Sequence, residues 1–292
     1  MTKKLALLAL LVAVSCKFAE DKKAASGSAG SSGGSSAASS SASTRIRVRG
    51  SEAMRGMATK LGAAYSKEHH DVAIDVGGGG TPAGFAALAS GEADIAQASR
   101  HASEQERADV QAKRGAAPVE TAVAFDSVAI YVNDMNPVKQ LSLRQIDGIV
   151  TGTITNWKDV GGVNTPIVVY GEANSAGFTS YLGGAGAPPK PQRDFADARG
   201  AIAAVAADPN GIAYAGYIPT KDARILWIET TEGGPASAPS AKNVQERTYP
   251  LSAQLYFYTL PSAPKPVQDF IAWTRSAAAR KPLEDAGFVP AR

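Results

Sequence analysis

The sequence predicts an α/β protein built in two lobes, and three observations carry that prediction. From Arg45 onward, short β-rich runs alternate with Ala-rich stretches of helical period, the pattern of a sheet flanked by helices. Two long apolar strand candidates, Ala122 to Val132 and Tyr249 to Thr259, bracket a middle region that has helices and strands of its own, so that region forms an inserted second lobe. The chain has 292 residues, 44% hydrophobic and 20% charged, which is enough to bury one large or two medium cores.

Each element follows from a local signal. Arg45 to Val48 reads as a strand, and Glu52 to Ser66 as a helix with Met54, Met57, Ala58, Leu61 and Tyr65 along one face. Val72 to Val76 is a second strand. The Gly-rich turn Gly77 to Gly80 then leads into a helix from Ala83 to Ser90, with Thr81 as N-cap and Pro82 at its first position. Asp94 to Ala98 is a third strand. Leu141 to Val150 reads as a helix capped by Ser142, Ile167 to Tyr170 as a strand, Thr179 to Leu182 as a helix start and Gly211 to Tyr217 as a short strand and turn. Val267 to Ala278 is an amphipathic helix bearing Phe270, Ile271 and Trp273.

The chain opens with the order of a secretory signal: the Lys3-Lys4 pair, an apolar run from Leu5 to Val14, then small residues. That run is too short to span a bilayer. It ends Ala13-Val14-Ser15-Cys16, which resembles a lipobox and makes Cys16 the residue expected to be cleaved before and acylated, anchoring the exported protein to a membrane surface. Asp21 to Thr44 is almost wholly Ser, Gly and Ala, cannot bury apolar area, and as a flexible tether reaches about 25 to 30 Å. The expected organisation is a signal peptide over 1–15, an acylated Cys and tether over 16–44, a discontinuous first lobe over 45–125 and 250–292, and a second lobe over 126–249.

Charge and composition exclude several functions. The formal charge of +3 is carried entirely by the leader, whose five lysines outnumber Glu20 and Asp21, so the folded portion is neutral and lacks the basic field of a nucleic-acid binder. One cysteine allows no internal disulfide or thiolate cluster, and three histidines leave little for a zinc site. There is no Walker loop, nucleophile elbow or His-Glu-x-x-His, and no carboxylate pair stands out, so no catalytic set, metal or cofactor is expected and the chain reads as a non-enzyme. Gly78 to Ala83 fits the loose dinucleotide pattern, but the acids about 20 residues on, Glu104, Glu106 and Asp109, read as helical and not as a ribose-binding strand end. His101 reads as a surface loop residue, and His69 and His70 as solvated at a helix end.

The positive signal lies at helix starts. Gly50-Ser51, Thr81 and Ser175 with Gly177 each follow a strand and precede a helix, where unpaired N–H groups and the helix dipole favour an anion. Three such starts converging would hold an oxyanion without a cluster of Lys and Arg.

In several ordered blocks the chain resembles the periplasmic phosphate-binding proteins of ABC importers. These blocks are Gly50 to Met54, Gly77 to Arg100, Asn133 to Gly162 with Thr151-Gly152-Thr153-Ile154-Thr155-Asn156-Trp157, Pro166 to Gly177, Gly211 to Tyr214, and Tyr249 to Ser252 continuing to Pro290. The resemblance implies a type II periplasmic-binding fold: two lobes, each a mixed sheet flanked by helices, joined by hinge strands at Phe125 to Val132 and Tyr249 to Tyr258. It also implies a monomer that closes on phosphate or a similar oxyanion and presents it to an importer permease, with Ser51, Thr81, Arg100, Ser175 and Gly177 as contacts. The chain departs from the family pattern at Ala53 and Phe178, where Thr is usual, at Ala176 in place of Ser, and at Glu172 in place of an anion-binding Arg. Arg100 stands where some members carry Asp; it is expected to bind the anion or to pair with Glu172. The alternative reading is a scaffold that has lost phosphate binding and serves as an envelope interaction or sensing module, or takes another small solute.

Overall fold

The computed structural model describes residues 44–173, 178 and 191–291. Strand β1 (Thr44–Gly50) leads into helix α1 (Glu52–Glu68), whose buried face holds Met54, Met57, Ala58, Leu61 and Tyr65, as its period predicts. Strand β2 (Val72–Gly79) and strand β3 (Ile95–Ala98) lie parallel to β1 on either side, with helix α2 (Thr81–Ser90) between them in sequence. Helix α3 (Glu104–Arg114) starts in a capping box between Ser103 and Glu106.

Strand β4 (Val119–Val132) is the spine of the molecule. Its first part pairs antiparallel with strand β12 (Ser252–Thr259), which also pairs with β3. Its last part pairs antiparallel with strand β8 (Gly211–Gly216), which continues in parallel through β6 (Val168–Glu172) to β7 (Arg193–Phe195). The order β2-β1-β3-β12-β4-β8-β6-β7 is therefore two mixed sheets sharing one strand. The short strands β9 (Arg224–Ile225) and β13 (Val289–Pro290) also pair with β4. A small sheet of β5 (Gln140–Ser142), β10 (Trp227–Glu229) and β11 (Ala236–Ser237) stands apart.

Further α-helices among the described residues are α4 (Leu143–Val150), α5 (Ala198–Ala207), α6 (Ala241–Gln245), α7 (Lys265–Thr274) and α8 (Ala277–Asp285). Apolar cores form on both sides of β4. One is built on Ile46, Leu61, Phe257 and Phe270; another is built on Ile130, Ile146, Trp157 and Ile228. The fold is thus the two-lobed α/β architecture expected. Its two crossings are held together where the Tyr249 hydroxyl donates to the Val128 carbonyl at 2.9 Å and the Val128 N–H donates to the Leu251 carbonyl at 2.9 Å. No helix of the described residues is long and apolar enough to cross a membrane.

Four local expectations change. β2 runs on through Gly79, so the glycines after Val76 are mostly strand and not turn. The cap of α2 is Gly80, with φ of 87°, and Thr81 is already helical. Leu141 belongs to β5; its helix begins after Ser142, which caps it in a box with Gln145. The helix expected over Val267 to Ala278 is two: the Thr274 hydroxyl donates back to the Ile271 carbonyl at 2.7 Å, Ser276 turns extended, and α8 starts afresh at Ala277. The helix start expected at Thr179 lies outside the described residues.

Candidate functional site

Parallel strands β1, β2 and β3 end on one side of the sheet, at Gly50, Gly79 and Ala98, so α1 and α2 both begin there. Gly50 permits this. Its φ is 134°, and a Cβ there would lie 2.2 Å from the Gln97 carbonyl oxygen, which itself accepts the Ser51 N–H at 2.9 Å. Gly84 has the same role from α2: a Cβ would meet the Arg49 carbonyl and the Gly50 Cα at 2.7 Å. The Gly80 N–H donates to the Gly50 carbonyl at 2.9 Å, closing the two helix starts on each other.

Ser51 (4% exposed) and Thr81 (8%) are buried in this junction. The Ser51 side chain makes no capping bond, while the Thr81 hydroxyl accepts the Ser99 N–H at 3.4 Å. Between them sits Gln97, fully buried, whose amide donates to the Ser51 and Gly77 carbonyls at 3.2 and 3.1 Å. Gln97 was missed in the sequence, although its signal is there: a polar residue alone in the apolar strand Ile-Ala-Gln-Ala. The Glu52 carboxylate, one residue on, accepts the Gly79 N–H at 2.9 Å.

Beside this junction a cleft of about 920 Å³ opens between the two sheets. On one wall are Glu52, Ala53 and Arg55; on the other are Glu172, Phe178, Asp197 and Gly216, with Asp126 and Val128 of β4 reaching it from the shared strand. Ala53 presents only a methyl where a hydroxyl was expected in the family pattern. Ser51 and Thr81 lie behind this wall and not among its lining residues.

Glu172 lies on the cleft wall, half-buried, and its Oε2 accepts the Gly216 N–H at 2.8 Å. Burial pushes its carboxyl above the usual range, Asp126 and Asp197 add to the rise, and the Gly216 bond works against it. Phe178 is a wall and not a plug: it is 1% exposed and stacks on Tyr214 at 4.5 Å with ring planes 1° apart. Asp197 caps α5 through the Gly200 N–H at 2.9 Å. Asp126 and Asp197 were not singled out in the sequence; Asp126 had a signal, as an acid interrupting strand β4 between the apolar runs Ala122 to Phe125 and Val128 to Val132.

Arg100 does not meet Glu172. Its guanidinium grips Glu106 with two bonds of 2.7 and 2.8 Å and donates to the His101 carbonyl at 3.0 Å. That ion pair, with the Ser103 N–H at 2.8 Å, holds the Glu106 carboxyl below the usual carboxylate range against the opposing effect of burial. His101 is exposed, as expected, and bridges Glu120 at 3.1 Å and the Tyr256 hydroxyl at 2.9 Å. Cys16, Ser175, Ala176 and Gly177 lie outside the described residues. Among the described residues no group of three or more His, Cys, Asp or Glu is placed to hold a metal.

Two mixed sheets sharing a strand, with a cleft between them beside paired helix starts, are the architecture of a two-lobed solute-binding protein. The chain belongs to the PBP superfamily: the family model described as "PBP superfamily domain" matches residues 35–278. The protein named Phosphate-binding protein PstS of Bacillus subtilis (strain 168) is 28% identical over 288 residues, covering 96% of this chain and 90% of that protein. Among solved structures, an ABC-type phosphate transport receptor from Vibrio cholerae matches with 27% identity and a TM-score of 0.64, over 84% of this chain and 99% of that one. A structure described as a possible phosphate binding protein from Planctomyces limnophilus DSM 3776 shares the fold, with a TM-score of 0.74 at 21% identity over 86% and 94% of the two chains. The family resemblance read from the sequence is borne out.

Proposed function

We propose that this protein is an extracytoplasmic, lipid-tethered receptor that captures phosphate or a related oxyanion between its lobes and delivers it to the permease of an ABC importer. The observation that carries the reading is the junction at Gly50 and Gly80, where the Gly80 N–H bond to the Gly50 carbonyl joins two helix starts that carry the buried Ser51 and Thr81, behind the wall of the cleft. Helix N-termini favour an anion there without a dense basic pocket. The names of the phosphate-binding relatives support the choice of solute. In this reading Ser175 and Gly177 complete the site from the second lobe, and Arg100, engaged with Glu106, acts from its edge. The lobes divide as 45–125 with 250–292 and 126–249, the protein works as a monomer, and it binds neither nucleic acid nor substrate for turnover.

Calorimetric titration of the purified mature protein with phosphate, sulfate, arsenate and phosphonates tests capture. Uptake of at least one with heat is expected, and silence for all four at millimolar levels overturns it. The tether is tested separately. Cys16→Ser is expected to lose the acyl label and move the protein from the membrane fraction to the soluble one; a protein that stays membrane-bound sinks the anchor.

A second reading, a scaffold without solute capture that acts as an envelope interaction module or takes another solute, is favoured by one observation. The cleft wall carries Glu52, Asp126, Glu172, Asp197, Glu284 and Asp285 against Arg55, Lys60 and Arg199. The same titration separates the two readings.

A further inference from the structure

The second wall of the cleft repeats the geometry of the first. Strands β6 and β7 run parallel, with Glu172 opposite Phe195 in register, and the Ala173 N–H donates to the Phe195 carbonyl at 2.9 Å. Helix α5 starts just beyond β7, and its cap and first turn line the cleft through Asp197, Ala198 and Arg199. Asp197 closes the cap by accepting the Gly200 N–H at 2.9 Å. Among the described residues the cations lining the cleft are Arg55, Lys60 and Arg199. Arg55 pairs with Glu52, one turn back on α1, at 3.6 Å, and the Lys60 ammonium donates to the Asp285 carbonyl at 2.8 Å. Arg199 is exposed, and its side chain makes no ion pair or hydrogen bond with a described residue. It also lines a second hollow, of about 770 Å³, between α5 and the segment Ile218 to Asp222, where Lys221 joins it. Arg199 and Ile218 are common to the cleft and this outer hollow, so Arg199 stands on the lip between the two.

An oxyanion in this cleft has helix starts on one side. On the other it meets a wall that carries Asp126, Glu172 and Asp197, and where the Gly216 N–H is already given to Glu172. Carboxylates raise the cost of bringing another negative charge close, and a cation on the same wall offsets it. A guanidinium suits that task, because it stays charged at every physiological pH and can donate two parallel N–H bonds to one oxyanion. Arg199 also has no evident use to its own helix: a cation in the first turn opposes the helix dipole. We infer that Arg199 is the side chain through which the second wall holds the oxyanion, as a bidentate cation reaching in from the lip of the cleft. This rests on the capture reading above and adds to it a ligand contact on α5.

The test is calorimetric titration of the full mature chain with inorganic phosphate, at low and at physiological ionic strength, for the wild type, Arg199→Gln, Arg199→Lys and Lys221→Ala. R199Q is expected to bind phosphate about ten- to a hundredfold more weakly and with a flatter dependence on salt, having lost a hydrogen-bonded cation. R199K keeps the charge without the fork, and it is expected to fall between R199Q and the wild type while retaining the wild-type salt dependence. K221A removes the same charge from the outer hollow without touching the cleft, and it is expected to bind as the wild type does. Wild-type affinity in R199Q overturns the inference while leaving capture standing. An equal loss in R199Q and K221A does the same, because it marks a diffuse field and not a contact. R199K binding as tightly as the wild type counts against the bidentate contact even if R199Q failed to fold. No phosphate binding by the wild type at either ionic strength overturns the capture reading itself, and this inference with it.

Discussion

Glu106 and Glu172 are both partly sheltered carboxylates that accept a backbone N–H, yet the two are held in opposite ways. Glu106, at the start of α3, has the Arg100 fork against it and closes a capping box with Ser103. Glu172, at the end of β6, has the Gly216 N–H but faces Asp126 and Asp197. The first is drawn below the ordinary carboxylate range and the second is pushed above it. What separates them is the charge that acts on each: hydrogen bonds to backbone favour the ionised form in both, the Arg100 guanidinium lowers Glu106, and Asp126 and Asp197 add to the rise that burial gives Glu172.

Breaking the first arrangement carries the larger effect. Glu106→Ala removes both the capping box and the partner of Arg100, and it is expected to cost about 2 kcal/mol in urea unfolding at neutral pH. Because the folded carboxyl is held low, the wild type keeps this stabilisation above the unfolded-state value and loses it as the pH falls through the folded one. The gap between wild type and E106A should therefore narrow in acid; a gap that stays constant with pH would show that packing and not charge holds Glu106.

The second arrangement responds with the opposite sign and a smaller size. Glu172→Gln retains an acceptor for the Gly216 N–H and removes the charge, and it is expected to raise unfolding stability at neutral pH by about 0.5 to 1 kcal/mol. A raised folded-state value means that the wild type gains stability as the pH falls through it, so the advantage of E172Q should disappear in acid. Urea midpoints measured against pH for the two variants would converge on the wild type in acid from opposite sides. If E172Q is instead less stable at neutral pH, Glu172 is a structural acceptor and the contrast with Glu106 fails.

The periodic elements were legible before the structure. The face of α1 reads directly from Met54, Met57, Ala58, Leu61 and Tyr65, and the Ser142 cap of α4 from its position ahead of an apolar run. Errors fell where glycine or a hydroxyl decides the backbone. Gly77 to Gly79 extend β2 because β1 offers them a parallel ladder, and Thr274 with Ser276 splits the last helical stretch. The site was legible only in part: Ser51 and Thr81 sit at paired helix starts, but Gln97 between them and Asp126 beside the cleft were not singled out.

By itself the sequence determined the class of fold, the order of its elements and the placing of hydroxyls at helix starts, because period, capping and glycine act over a few neighbouring residues. Only the tertiary structure decided the partners of the charges. Arg100 turns to Glu106, six residues on, and Glu172 to Gly216, 44 residues away. A carboxylate's ionisation depends on what surrounds it in space, and Asp126, Glu172 and Asp197 become neighbours only once β4, β6 and α5 have packed around one cleft.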